Sequence, residues 1–135
     1  MLRASLLCLA LALPGVSAAA QEGGNPIRNV IESQIDAFLQ DDFATAFTFA
    51  SPMIKRMFQT PENFGSMVRN GYPMVWRPDD VRFLEQREIE GRTFQKVMVT
   101  DRAGEIHMLE YEMIRTGEGW QINGVRRLPA PDLGV

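Results

Sequence analysis

The 135-residue chain carries 14 basic and 17 acidic side chains, giving a formal net charge of −3, and it has one cysteine and one histidine. This mild acidity, without a run of like charges, argues against a nucleic-acid-binding protein and against attachment to anionic membrane surfaces. Cys8 by itself forms no disulfide, and a zinc site is disfavoured, so we expect neither a metal nor a cofactor.

The first twenty residues have the pattern of an export signal. Arg3 supplies a positive start, residues 6–13 are an apolar run, and small residues lead up to Ala20. A membrane anchor is the less favoured alternative, because an apolar span needs about 20 residues. We therefore predict a signal peptide at residues 1–20, a periplasmic or secreted bacterial protein, and no membrane contact after cleavage.

The remainder of the chain is organised as one domain. Residues 21–25 form a short linker, residues 26–131 carry helix and then strand patterns without an internal repeat, and residues 132–135 are a short tail. A chain of this length is sufficient for one domain and too short for two.

Helical patterns occupy the first part of the domain. Asn25 followed by Pro26 is typical of an N-cap with proline at the first helical position, where the missing N–H costs nothing. Apolar residues then recur at spacings of three and four, which predicts one amphipathic helix. Its apolar stripe comprises Ile27, Val30, Ile31, Ile35, Phe38 and Leu39.

Three shorter helices are predicted to follow. Each begins at a residue whose short polar side chain can cap it, and in two of the three a proline comes directly after the cap. The caps are Asp41-Asp42, Ser51 and Thr60, and the last helix ends near Gly71. Residues 72–76 are predicted to be extended, because a residue before proline avoids the helical region.

The rest of the domain has strand patterns separated by turn signals. Short turns at Glu90-Gly91, Ala103-Gly104 and residues 117–119 predict antiparallel neighbours. The predicted strands are 81–88, 93–100, 105–115 and 120–128. The fold class is therefore α+β, with three or four N-terminal helices packed on the concave face of a curved antiparallel meander of about four strands.

Alternation along the strands divides the predicted sheet into two faces. The aromatic-rich face is predicted to take the helices. Its apolar residues are Val81, Phe83, Phe94, Met98, Leu109, Tyr111, Met113, Trp120, Ile122 and Leu128. The same face is predicted to carry Glu85, Lys96, His107, Arg115 and Arg126, of which Glu85 and Lys96 are suited to a surface ion pair.

The outer face of the predicted sheet is also rich in apolar residues. They are Leu84, Val97, Val99, Ile106, Met108, Ile114 and Val125. Antiparallel sheets with one wet face usually alternate more cleanly, and an exposed apolar patch commonly marks a partner surface. A homodimer through this face, centred on Val97, Val99, Ile106 and Met108, is one hypothesis, and a half-apolar face without a partner is the other.

Three segments carry a resemblance to a known family: IESQIDAFLQDDFATAFTFASPMIKRMF, FGSMVRNGYPMVWRP and GWQINGVRRLPAP. Through them, residues 27–131 resemble the bacterial domain-of-unknown-function family 4864. The order of elements is similar to the nuclear transport factor 2-like, cone-shaped α+β fold. That superfamily contains isomerases, dehydratases and cyclases beside non-catalytic binding modules, so the resemblance implies a fold and export but assigns no catalytic residue.

Enzymes of this fold work with an acid/base group inside the cone, and His107 is the candidate here. Its ordinary pKa of about 6.5 suits proton transfer at neutral pH. Tyr111, four residues on, could donate to a developing oxyanion. This hypothesis is a cofactor-free isomerase or lyase. The alternative is that His107 is a half-exposed surface residue, and no Asp–His pair is predicted on the concave face.

The preferred hypothesis is non-catalytic binding of a small apolar ligand or a protein partner in the cone. The opening is predicted to be bordered by residues 72–76. The predicted ligand-binding residues are Phe64, Tyr72, Trp76, Met98, Met113 and Trp120. Simple packing is the alternative for the aromatic residues, and the methionines provide an adaptable wall.

Overall fold

The computed structural model describes residues 24–129 and confirms the α+β class. The elements are α1 (Pro26–Leu39), α2 (Phe43–Thr48), α3 (Pro52–Phe58), α4 (Pro61–Gly71), α5 (Pro73–Trp76), β1 (Pro78–Ile89), β2 (Arg92–Asp101), β3 (Ile106–Thr116) and β4 (Gly119–Leu128). The strands form one antiparallel sheet in the order β1-β2-β3-β4. The predicted signal peptide and the tail at 132–135 lie outside the described residues.

Four helices begin where the capping residues predict. In each case the cap side chain accepts a hydrogen bond from the backbone N–H three residues later, which the first turn would otherwise leave unpaired. The caps are Asn25, Asp42, Ser51 and Thr60, at donor–acceptor distances of 3.1 to 3.3 Å. None of the helices within residues 24–129 has the length and apolar character needed to cross a bilayer.

The predicted extended segment at residues 72–76 is wrong, because α5 is a helical turn. Only Tyr72, directly before Pro73, has a non-helical backbone, with φ −135° and ψ 55°. Pro73 then occupies the first position of the turn, where its fixed φ suits a helix. The restriction that proline imposes on its predecessor therefore acts on one residue and not on those that follow.

The core lies between the helices and the concave face of the sheet. It contains Ile27, Ile31, Ile35, Phe38, Phe64, Val68, Val97, Val99, Leu109, Tyr111, Met113 and Ile122. Helices α2 and α4 approach closely at Gly65, where an added Cβ would lie 2.6 Å from Cδ1 of Phe43. Only glycine fits there without displacing the ring.

Strand β2 turns the opposite face to the helices from the one predicted. Val97 pairs with Leu109 and Val99 pairs with His107, and both valines are fully buried in the core. Two register changes have this effect. A bulge in β1 pairs Phe83 with Val97, whereas a regular ladder from the Glu90-Gly91 turn would pair it with Met98. The β2–β3 connection leaves an odd number of residues between Thr100 and Ile106, whereas a two-residue turn at Ala103-Gly104 would pair Met98 with Leu109. Phe94, Lys96 and Met98 consequently lie on the outer face.

A bulge in β4 reverses the predicted faces of the second half of that strand. Met113 pairs with Ile122, but Glu112 pairs with Gly124, so one extra residue is inserted in β4. Beyond it, Val125 pairs with Tyr111 and faces the helices. Two residues predicted on the concave face, Arg126 and Leu128, lie on the outer face instead.

The outer face is more highly charged than predicted. The side chain of Glu110 is fully buried there between Arg87 and Arg126. Lys96 and Glu85 form the expected ion pair at 2.9 Å, but on this face rather than the concave one. Of the four residues at the centre of the dimer hypothesis, Val97 and Val99 belong to the core, which leaves Ile106 and Met108. The homodimer itself stays a prediction.

Candidate functional site

A cavity of about 230 Å³ lies between the helices and the β3–β4 half of the sheet. From the helices it is lined by Ile54, Met57, Phe58, Phe64, Met67 and Val68, and from the sheet by Tyr111, Ile122 and Val125. Among the described residues that line it, none is charged. An apolar cavity with few polar groups has the character of a small-molecule site.

The aromatic wall of the cavity is organised around Phe64, which is buried. Its ring centroid lies 5.9 Å from that of Phe38, 5.2 Å from that of Phe47 and 5.9 Å from that of Phe58. Tilted and edge-on contacts of this kind are the favoured aromatic geometries and hold the rings in place. The wall is therefore shaped before any ligand enters.

Met57 on α3 and Tyr72 are partly exposed lining residues, and we call the side of the cavity that they border the mouth. Helix α3 buries none of its side chains completely, and Met57, which lines the cavity, is 62% exposed. On the other side the Tyr72 hydroxyl donates to the Val125 carbonyl at 3.1 Å. Arg127 lies over the Tyr72 ring, 5.2 Å from its centroid, and donates to the Gly71 carbonyl.

Two buried polar side chains also line the cavity. Gln34 donates from Nε2 to the Ala46 carbonyl at 3.2 Å. Tyr111 is fully buried, and its hydroxyl has no hydrogen-bond partner among the described residues. Burial raises the pKa of that hydroxyl well above its ordinary value, and the nearby Tyr72 raises it further, so Tyr111 stays protonated.

His107 lies apart from this cavity, at the end of the sheet beside the β2–β3 turn. Its Nε2 is 2.8 Å from Oδ2 of Asp101, and both side chains are about a quarter exposed. The carboxylate accepts, so Nε2–H is the donor. The expectation that there would be no Asp–His pair is therefore wrong: the two residues precede and follow one turn and share a face of the sheet.

Asp101 also organises the turn itself. Its Oδ1 accepts from the backbone N–H groups of Ala103 and Glu105, each at 2.9 Å. The hydrogen bond with His107, followed by the Glu105 N–H, holds the pKa of Asp101 below its ordinary value. Ligand atoms of Asp101, Glu105 and His107 lie within 4.8 Å of one another, a spacing that a metal ion could span. The turn bonds already account for the position of Asp101.

A family model, described as a domain of unknown function (DUF4864), matches residues 20–135. The chain belongs to the DUF4864 family. Among curated proteins, none matches it. The fold described above agrees with the helices-then-meander order of the nuclear transport factor 2-like cone, which remains a resemblance.

Of the residues predicted to form the site of this DUF4864 member, three line the cavity: Phe64, Tyr72 and Tyr111. Met98 lies on the outer face because the pairing of β2 with both of its neighbours differs by one residue from the predicted pairing, so its predicted place in the cone is wrong. Met113 is buried in the core, and Trp120 is stacked with Arg115, 5.8 Å from its ring centroid.

Trp76, predicted to bind a ligand, is not among the residues that line the cavity. Its Nε1 donates to Oδ1 of Asp41 at 2.8 Å, and Arg77 stacks on the ring at 4.1 Å. Arg77 also donates to Oδ1 of Asp41 and to the Phe38 carbonyl. Trp76 thus ties α5 to the end of α1, and Val75 is the neighbour that lines the cavity.

Sequence reasoning missed several of the lining residues in this DUF4864 chain, chiefly on α3 and β4. Met57 and Ile54 belong to a helix too short to show a clear apolar stripe. Regular alternation along β4 predicts Val125 on the outer face, since Gly124 is the residue in β4 that signals the bulge. A glycine within a strand is a signal for a bulge and could have indicated the change of face.

Proposed function

We propose that this protein binds a small apolar ligand in the cavity between its helices and its sheet, without catalysis. The observation that carries the proposal is the cavity itself: about 230 Å³, lined by aromatic and aliphatic side chains, with no charged residue among the lining. Such a surface gains free energy when an apolar molecule replaces water against it.

The location of the titratable groups supports binding over chemistry. General acid/base catalysis needs a titratable side chain within hydrogen-bond reach of the bound molecule. His107 does not line the cavity, and Tyr111, which does, is held in its protonated form by burial. The alternative hypothesis of an isomerase or lyase draws support from the Asp101–His107 pair. However, His107 lies four residues, or about 13 Å, along β3 from Tyr111, which lines the cavity.

We also propose that binding takes place after export. The support is the N-terminal pattern of Arg3, the apolar run at 6–13 and the small residues up to Ala20. These residues lie outside the part of the chain that the structure describes.

A thermal unfolding series with propylbenzene tests the proposal. A ligand that binds only the folded state raises stability by about 2.7 kcal/mol at a free concentration of 100 Kd. Val125→Phe enlarges a half-buried side chain at the mouth and should reduce the shift in Tm strongly. Val81→Phe is the matched control: it makes the same change on the concave face of β1, outside the cavity lining, and should keep the shift.

Two results would contradict the proposal. The first is wild-type protein that shows no rise in Tm with propylbenzene or with any other compact apolar molecule of similar size. The second is an equal shift in both variants, which would place the binding elsewhere. His107→Gln should leave the shift unchanged, since His107 lies outside the lining residues.

A further inference from the structure

The Tyr111 hydroxyl is the unusual group of the cavity. The Tyr111 side chain is fully buried, extends from the concave face of β3 towards the helices, and lines the cavity. Its oxygen has no hydrogen-bond partner among the described residues. Buried polar side-chain atoms in folded proteins nearly always have one, so an isolated hydroxyl on a side chain that lines a cavity points to a partner that enters from outside.

The chemistry of this hydroxyl defines what the partner must offer. A protonated phenol is a donor as well as an acceptor. The Tyr72 hydroxyl, the other phenol of the lining, already donates to the Val125 carbonyl. The donor of Tyr111 is therefore the one available to a bound molecule, which must present an acceptor such as a carbonyl, ether or hydroxyl oxygen.

The rest of the lining defines the charge of that molecule. No lining residue carries a positive or negative charge that could pair with an ionised ligand group. Moving an unpaired carboxylate or ammonium from water into such surroundings is strongly unfavourable. The bound molecule is therefore neutral at the end that contacts Tyr111.

The volume of the cavity limits the size of the bound molecule. An engineered apolar cavity of about 150 Å³ is sufficient for benzene. By proportion, the cavity here of about 230 Å³ accommodates about nine non-hydrogen atoms. A longer ligand would extend through the mouth, past Met57 and Tyr72.

We propose that the ligand is a compact neutral molecule bearing one hydrogen-bond-accepting oxygen, and that Tyr111 recognises this oxygen by donating its hydroxyl proton. The inference rests on the proposed function, because it concerns the ligand of the same cavity. Tyr111 supplies the specificity, and the aromatic wall around Phe64 supplies the apolar contact area.

A cycle of two ligands and two proteins tests the role of Tyr111. The ligands are octan-2-one and 2-methyloct-1-ene, which have the same skeleton and differ in whether oxygen or CH₂ is doubly bonded to the second carbon. The proteins are the wild type and Tyr111→Phe, which removes only the hydroxyl. Both ligands are volatile, so their Kd values can be measured from the fall in headspace concentration as protein is added.

We expect the ratio of the two Kd values to change about five- to tenfold in favour of the alkene in Tyr111→Phe, the size expected for the loss of one hydrogen bond. Taking the change in the ratio cancels the different solubilities of the two ligands in water. His107→Gln is the control and should keep the wild-type ratio. Heptanoate, which replaces the methyl group of the ketone by a charged oxygen, should bind at least tenfold more weakly than octan-2-one.

The outcomes separate the two proposals. If neither ligand binds the wild type, the proposed function fails. If both ligands bind and Tyr111→Phe leaves their ratio unchanged, the cavity binds apolar molecules but Tyr111 does not select them, and this inference is wrong. Tight binding of heptanoate would overturn the requirement for a neutral ligand. Thermal unfolding of Tyr111→Phe confirms that the variant is folded.

Discussion

Glu110 shows how one residue organises the outer face of the sheet. Its side chain is fully buried and accepts hydrogen bonds from Arg126 Nε at 3.0 Å and from Arg87 at 2.7 Å. Burial alone would raise the pKa of Glu110, but the hydrogen bonds from the two arginines outweigh it and hold the pKa below its ordinary value. Arg126 and Arg92 also cover the ring of Phe94, so apolar surface there is shielded from water.

Replacing Glu110 by Gln should destabilise the fold and weaken its acid sensitivity. A carboxyl group whose pKa is lowered on folding contributes stability above its unfolded pKa, and this is lost as the pH falls through the folded value. We expect Glu110→Gln to lower the free energy of unfolding at pH 7 by about 1–3 kcal/mol. Below the ordinary pKa of 4.5 the decline with falling pH should be shallower than in the wild type.

Chemical denaturation between pH 3 and pH 7 measures this effect. Asp36→Asn is the control, because Asp36 is exposed on α1 and no ion pair involves it within the described part of the chain. If the free energy of unfolding falls equally steeply with decreasing pH in Glu110→Gln and in the wild type, Glu110 is not held in its ionised form by the two arginines.

At the scale of elements, Ser51 joins the helices to the sheet. Its backbone N–H donates to the Ile122 carbonyl at 2.8 Å, and the Ile122 N–H donates to the Phe49 carbonyl at 2.8 Å. Its side chain caps α3 and donates to Oδ1 of Asn123 at 2.8 Å. Because Ser51 is fully buried, both roles are fulfilled away from water, and they fix α3 beside the cavity.

Ser51→Ala should therefore cost more stability than an ordinary cap. Losing an exposed N-cap costs about 1 kcal/mol, and we expect that value for Thr60→Ala, the matched control at the start of α4. Ser51→Ala also leaves the Asn123 side chain without its buried donor, so we expect about 2 kcal/mol. The free energies of unfolding from urea titration give the comparison, and equal losses in the two variants would show that the Asn123 hydrogen bond contributes nothing.

At the scale of the whole molecule, a helical layer and a sheet layer meet along a core that is incompletely filled. Helix α5 packs on β1 and β2, and α1 packs on β4. The cavity lies over the β3–β4 half, where α1, α3 and α4 all contribute to its lining, through residues such as Gln34, Ile54 and Phe64. The β4 bulge turns Val125 inwards, so that it joins this lining.

A homodimer through the outer face is testable with a corrected set of residues. Met98, Met108 and Leu128 lie in one row across β2, β3 and β4, and Ile106 adjoins them. If this row is the interface, sedimentation at micromolar concentration should give twice the mass of the chain, and Met98→Lys should give a folded monomer. A wild-type monomer would rule out the dimer. Val99→Lys should unfold the protein, because it places an unpaired charge in the core.

The sequence by itself determined the elements and their order. Caps such as Asn25 and Thr60, prolines at first helical positions and the Glu90-Gly91 turn act over a few residues, so their consequences are visible locally. The α+β class and the meander followed from these signals. Phe64, Tyr72 and Tyr111, predicted as site residues, all line the cavity, and their roles there stay a prediction.

Only the tertiary structure decided which side chains meet. The bulges in β1 and β4 each insert one residue, and a shift of one residue exchanges the two faces of a strand. The β1 bulge and the odd-length β2–β3 connection place Val97 and Val99 in the core and Met98 on the outer face, and the β4 bulge places Val125 at the cavity. A bulge is set by the fit of the sheet to the layer that packs on it, which is a long-range property. Gly124 is a local signal of the β4 bulge, whereas no glycine marks the bulge in β1.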